Sequence, residues 1–190
     1  MGLRLAKLER FGFRRVTASA NAEAGAMWLL KIVTVLLVAA AMDMALAHAL
    51  ELPGKLRLPK DQYLAAQAIY YPGFRFGGVA EPLSIAAVTL LAFLTPPVGA
   101  GFWLTVSACI ALLLTHAVYW IGIYPVNSFW LRDIRLEHAI RAFFAVDSGV
   151  GNRFESAEWT YFRDRWEYSH LARAVLAVAA FVLLVTAVTR

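Results

Sequence analysis

Apolar stretches of about the length needed to cross a bilayer recur four times in this chain, at 27–50, 79–96, 101–124 and 167–188. A transmembrane helix takes roughly 20 mostly apolar residues, and a backbone inside lipid must satisfy its own hydrogen bonds. Together these leave an all-α fold: a polytopic bundle of four transmembrane helices, with short extramembrane helices on the outer side. Composition agrees, because 61% hydrophobic against 16% charged residues leaves too little polar surface to wrap a soluble domain of 190 residues. The core must come from helices packing on one another, and no separate soluble catalytic domain has room. The lone Cys109 lies within an apolar run. It gives neither a disulfide framework nor a thiolate metal site within one chain, and it reads as an inert thiol.

Punctuation sets the expected boundaries. Leu52-Pro53-Gly54 is a turn signal that stops the first span, and Glu81-Pro82 puts a proline at the first position of the second. Thr95-Pro96-Pro97-Val98-Gly99 is a tight connection, Pro125 closes the third span, and the fourth opens near Glu167. Residues 1–26 form a basic leader, with Arg4, Lys7, Arg10, Arg14 and Arg15 against Glu9 and with Leu3, Leu5, Leu8, Phe11 and Phe13 among them. Such a segment reads as an amphipathic helix on an anionic leaflet and as a topology signal. By the positive-inside rule it lies in the cytoplasm, as does the carboxyl terminus, with a bacterial inner membrane as the expected location. The net charge of +5 is split between the two leaflets, and no nucleic-acid motif accompanies it. Membrane lipid is the simpler partner, and residues 27–190 are the transmembrane domain.

With that topology, six ionisable residues fall at helix ends on one side of the membrane: His48, Glu51, Glu81, His116, Glu167 and His170. A helix rises about 1.5 Å per residue, so His48 is roughly 7 Å below Pro53 and His116 roughly 13 Å before Pro125. Ionisable groups at membrane depth are costly and read first as a functional site. His48 and Glu51 are i and i+3, on one helix face, and Glu167 and His170 repeat the spacing in reverse order. Imidazole and carboxylate on facing helices are how bundles hold iron, copper, manganese or zinc. All six are therefore candidate metal ligands, with no metal as the alternative. The bland reading stands beside it: interfacial anchoring, with Glu51 and Glu167 paired to Lys55 and Arg163, and Glu81 as a helix-start acid.

Arg163, Trp166, Glu167, His170 and Arg173 form a polar stripe at helical spacing that descends into the fourth span. Arg173 needs a carboxylate or carbonyl partner there, and Asp43 is its deepest candidate counter-ion. His116, Trp120 and Asn127 share one face of the third helix, beside Tyr119 and Ile123. This aromatic wall suits a flat apolar substrate or a quinone, and equally an interfacial aromatic belt.

At Tyr124-Pro125-Val126-Asn127, and at Trp166 to Arg173 with its Trp-x-x-x-His-x-x-Arg pattern, the chain resembles the anthrone-oxygenase-like integral membrane family, much of it a domain of unknown function. The resemblance covers roughly 27–188 in its four-helix layout. It implies a small oxygenase that converts anthrones to anthraquinones with molecular oxygen and needs no cofactor. By matching position it makes Asn127, Trp166, His170 and Arg173 candidate active-site residues. The His48-to-Lys55 stretch is richer in potential ligands than that family leads one to expect.

Two functional classes follow. In the first, an apolar substrate enters laterally, His170 or His116 serves as base, and oxygen is activated at the substrate carbanion or at a bound metal. In the second, the chain is a non-catalytic subunit of a homo-oligomer or larger membrane complex that binds a partner, pigment, quinone or lipid. The docking surface would then be an outer helix near 128–146, with apolar positions Leu131, Ile134, Ile140 and Phe144.

Overall fold

The computed structural model describes residues 2–130 and 159–190, with side chains over 20–67, 69–70, 78–127 and 159–190. Every element among them is helical. The order is α1 (Gly2–Lys55), α2 (Lys60–Leu94), α3 (Gly99–Val118), a π-turn (Tyr119–Ile123), α4 (Tyr124–Trp130) and α5 (Trp159–Val188). Three stretches are long and apolar enough to cross a membrane, namely Ala20–Lys55, Gly99–Asn127 and Trp159–Val188, and Gly78–Leu94 is a shorter apolar helix. The chain is therefore an integral membrane protein. The proposed docking helix near 128–146 lies almost wholly outside the described residues.

Four boundaries differ from the sequence reading. Pro53 lies inside α1, and the helix exits only at Lys55, where Arg57 and Leu58 fold back onto the Gly54 and Lys55 carbonyls at 3.1 Å. A proline in the last turn removes a single backbone bond, to the carbonyl four residues earlier, which is too little to stop a 54-residue helix. Pro82 likewise does not open α2, which starts at Lys60 behind Pro59. The fourth helix begins at Trp159 rather than near Glu167, and it carries the whole polar stripe. The Pro-Pro connection behaves as expected. It closes through Val98 N–H to Pro96 C=O at 2.7 Å and enters α3 at Gly99 with φ 80°, a left-handed backbone that glycine adopts without strain.

Pro125 does not end the third span either. The helix widens into a π-turn, with Tyr124 N–H reaching the Tyr119 carbonyl, and then continues. Proline has no N–H for the carbonyl of Ile121, four residues back. That carbonyl is taken instead by Arg165 of α5, Nη2 donating at 2.7 Å. The same turn brings α5 very close. A Cβ placed on Gly122 would stand 2.9 Å from Ser169 Cβ, which is tied to the backbone and has little freedom to yield. Gly122→Ala is expected to cost about 1–3 kcal/mol, read as a lower thermal midpoint in detergent, with recovery in Gly122→Ala/Ser169→Gly.

α5 packs on α3 and α1, and α2 packs on α1 and α3, so the bundle runs α1–α2–α3–α5 around its axis. The core is graded along that axis. Val38, Val88, Leu91, Leu112 and Leu184 fill one end. Ala45, Ala174 and Ala177 bring α1 and α5 close at the middle, as small residues do where lipid supplies no hydrophobic drive between helices. Tyr63, Tyr119, Ile123, Val126, Phe162 and Trp166 fill the other end. Hydroxyls between these layers bond within their own helices, as Thr34, Thr105 and Thr115 do to carbonyls four residues back. Leu36, Leu50, Phe93, Ile121 and Val175 point outward, as lipid-facing residues should.

Candidate functional site

The aromatic end of the bundle holds the polar residues, in two groups joined by Arg173. The first lies at the rim. Glu81 of α2 is buried, and its Oε1 meets His116 Nδ1 of α3 at 2.8 Å, while its Oε2 accepts from Arg173 Nη2 of α5. Trp120, one turn beyond His116, donates its indole N–H to His116 Nε2 at 2.9 Å. Indole only donates, so Nε2 is the acceptor and the ring proton sits on Nδ1, facing the Glu81 carboxylate. Glu81 thus fixes the tautomer and orientation of an imidazole whose basic nitrogen points to the open side. The His116 side chain is 35% exposed there. Tyr119, stacked on His116 with centroids 6.4 Å apart, and Tyr124, 4.6 Å from Trp120, complete an aromatic wall.

The second group is interior and centres on Lys55, which is 4% exposed. Its ammonium lies 3.0 Å from Glu51, 3.7 Å from Glu167 and 3.4 Å from His48 Nδ1, over the rings of Tyr70 and Trp166. Tyr63 donates to Glu167 Oε1 at 2.9 Å. The His48 and His170 rings are 4.1 Å apart, each against Trp166. Trp166 donates to Asn127 Oδ1 at 3.0 Å, and the Asn127 amide also bonds the Tyr119 hydroxyl, which ties the two groups together. Burial, then the hydrogen bond to Glu51, pushes the Tyr70 phenol above its ordinary range, so Tyr70 stays a protonated donor.

Each residue expected from sequence can now be placed. His116 and Glu81 stand together at the rim. His48, Glu51, Glu167 and His170 lie in the interior group, and Asn127, Trp166 and Arg173 link the groups. Arg173 pairs with Glu81 rather than with Asp43, which is exposed on the outside of α1. Arg163 pairs with its neighbour Asp164 at 2.7 Å rather than with Glu167, whereas the Glu51–Lys55 pair forms as expected. The six candidate ligands do not gather around one point. Among the described residues no group of three or more His, Cys, Asp or Glu side chains is arranged to hold a metal. The reason is chemical: Glu81 faces Arg173, and Glu51 and Glu167 face Lys55, so the protein's own cations occupy the positions a divalent ion would need. As arranged, this donor set does not fit a metal.

Lys55, Tyr63, Gln67 and Tyr70 were missed as site residues. Lys55 reads from the sequence as an interfacial partner of Glu51, because Pro53 suggests that the helix ends before it. Tyr63, Gln67 and Tyr70 carry a readable signal, the i, i+4, i+7 spacing of one helix face, in a segment that looked like an outer loop.

The anthrone oxygenase family model matches residues 67–183, more than half of the chain. The match spans Gln67, Glu81, His116, Asn127, Trp166, His170 and Arg173 and leaves out His48 and Lys55. No curated protein and no solved structure matches the chain significantly. With its helical layout, its Pro-x-Asn and Trp-x-x-x-His-x-x-Arg elements and this match, the chain belongs to the anthrone oxygenase family.

Proposed function

We propose that the protein is a membrane-embedded oxygenase acting on an apolar, lipid-soluble substrate of anthrone type, with His116 as its general base. The observation that carries this is the Glu81–His116 pair: a neutral imidazole, oriented by a buried carboxylate, presenting Nε2 beside an aromatic wall at the bundle's lipid-facing rim. A ring-activated CH2 entering from the bilayer displaces the Trp120 N–H and gives a proton to Nε2. Glu81 stabilises the imidazolium that forms. The carbanion reduces O2 and bonds to it, and the returned proton completes a carbon-bound hydroperoxide. Loss of water then leaves the ketone, so CH2 and O2 become C=O and H2O. In this proposal the protein lies in a bacterial inner membrane, the basic leader sets both termini in the cytoplasm, and the site opens toward the outer leaflet.

The test is oxygen uptake by purified protein supplied with anthrone. One O2 consumed per anthraquinone formed, unchanged by a chelator, is the expected result. Uptake abolished by the chelator, together with near-stoichiometric iron, copper, manganese or zinc that disappears in His48→Ala and His170→Ala, would favour metal-dependent chemistry. Absence of turnover in protein that co-purifies with a larger membrane complex would favour an accessory subunit.

A further inference from the structure

Five buried side-chain atoms meet no hydrogen-bond partner among the described residues: Gln67 Nε2 and Oε1, Glu167 Oε2, His170 Nε2 and Arg173 Nε. Gln67, Glu167 and His170 are at most 5% exposed. Buried polar atoms are almost always paired in native proteins, so several of them in one neighbourhood need an explanation.

They do share a neighbourhood. Glu167 and His170 are one turn apart on α5, and both adjoin the Lys55–His48–Trp166 cluster, Glu167 through Lys55 at 3.7 Å and His170 through His48 and Trp166 at 4.1 Å. On α2, Gln67 stands between Tyr63 and Tyr70 on one face. Tyr63 bonds Glu167 at 2.9 Å, and the Tyr70 ring lies 4.5 Å from Lys55 Nζ and 5.2 Å from the His48 ring. Residues three and four apart share a helix face, so the fully buried Gln67 lies on the side of α2 through which Tyr63 and Tyr70 meet the cluster.

The hydrogen-bonding sense of these atoms selects the ligand. Arg173 Nη1 lies 3.5 Å from His170 Nδ1, and guanidinium only donates, so His170 carries its proton on Nε2 and donates from it. Glu167 Oε2 accepts, and the Gln67 amide does both. A carbonyl would answer His170 and leave Glu167 unmet, and an ammonium would do the reverse. A hydroxyl answers both, and the surrounding rings of Trp166, Tyr63, Tyr70 and His48 suit an aromatic carrier. Arg173 stands between this group and the Glu81–His116 pair and does not give up its proton. The interior group is therefore set up for recognition rather than as a proton relay to the base.

We propose that Gln67, Glu167 and His170 form a recognition site for a phenolic hydroxyl of the substrate, distinct from the base at the rim; only the aromatic, anthrone-like character of the ligand rests on the oxygenase reading. The test measures binding rather than turnover, by quenching of tryptophan fluorescence, with 1,8-dihydroxyanthrone and unsubstituted anthrone as probes. Wild type and His116→Ala are both expected to bind the hydroxylated probe roughly tenfold more tightly, the effect of one hydrogen bond gained in a buried site. In Gln67→Leu that ratio falls toward one, and Gln67→Met, which keeps side-chain length, gives the same result should the branched residue pack poorly. A ratio of one in wild type, or the wild-type ratio retained in both Gln67 variants, overturns the proposal. If the ratio collapses in Gln67→Leu while His116→Ala turns over normally, the hydroxyl site stands and the assignment of the base falls.

Discussion

His116→Ala is expected to slow oxygen uptake with an anthrone substrate by roughly 10²- to 10⁴-fold, the usual contribution of a positioned general base. The effect should be large because the surrounding residues are arranged for this one ring. Glu81 holds the Nδ1 proton at 2.8 Å and Trp120 covers Nε2 at 2.9 Å, so each ring nitrogen is fixed in its role. His170 is not a substitute. It is buried, and Arg173 separates it from the rim. Steady-state oxygen electrode measurements check the assignment: added imidazole restores part of the rate lost in His116→Ala. Wild-type uptake by the variant, or a loss that imidazole leaves untouched while the protein is also less stable, would remove His116 from the mechanism.

The second large effect is on stability. In Glu81→Ala the guanidinium of Arg173, only 14% exposed, loses its carboxylate within a membrane-spanning helix. Breaking a buried pair by deleting one partner costs about 3–5 kcal/mol, because the other charge is left behind. Arg173→Met should cost less, since Glu81 keeps the His116 N–H. The double variant Glu81→Leu/Arg173→Met, which removes both charges, should recover most of the loss. Denaturation midpoints in detergent measure all three. A double variant less stable than Glu81→Ala would mean that the pair does not act as a buried ion pair.

Both effects depend on a partnership that the linear pattern did not indicate. Arg173 is recognisable from the sequence as a cation needing an acid, and depth alone points to Asp43, whereas the structure pairs it with Glu81. Which one faced inward depended on the rotation of α1 and α2 about their axes. Asp43 is turned outward, and Glu81 is among the buried residues. Prolines misled in the same direction each time. Pro53, Pro82 and Pro125 were read as boundaries, yet each lies within a helix, because one missing backbone bond is tolerated when packing holds the segment or, as at Ile121, when Arg165 donates instead. Read this way, Lys55 lies beyond the first span as an interfacial partner of Glu51, whereas it is the cation at the centre of the interior group.

The recurrence of apolar segments of bilayer length determined the class of fold and its membrane setting, because lipid admits so few backbone solutions. The spacing of polar residues along each helix placed them at one end of the bundle, because the rise per residue is fixed. Helix rotation and tilt are set only by packing. Tertiary structure alone therefore decided that the six candidate ligands divide into two groups, that Lys55 and Arg173 lie between the carboxylates, and that Glu81 orients His116.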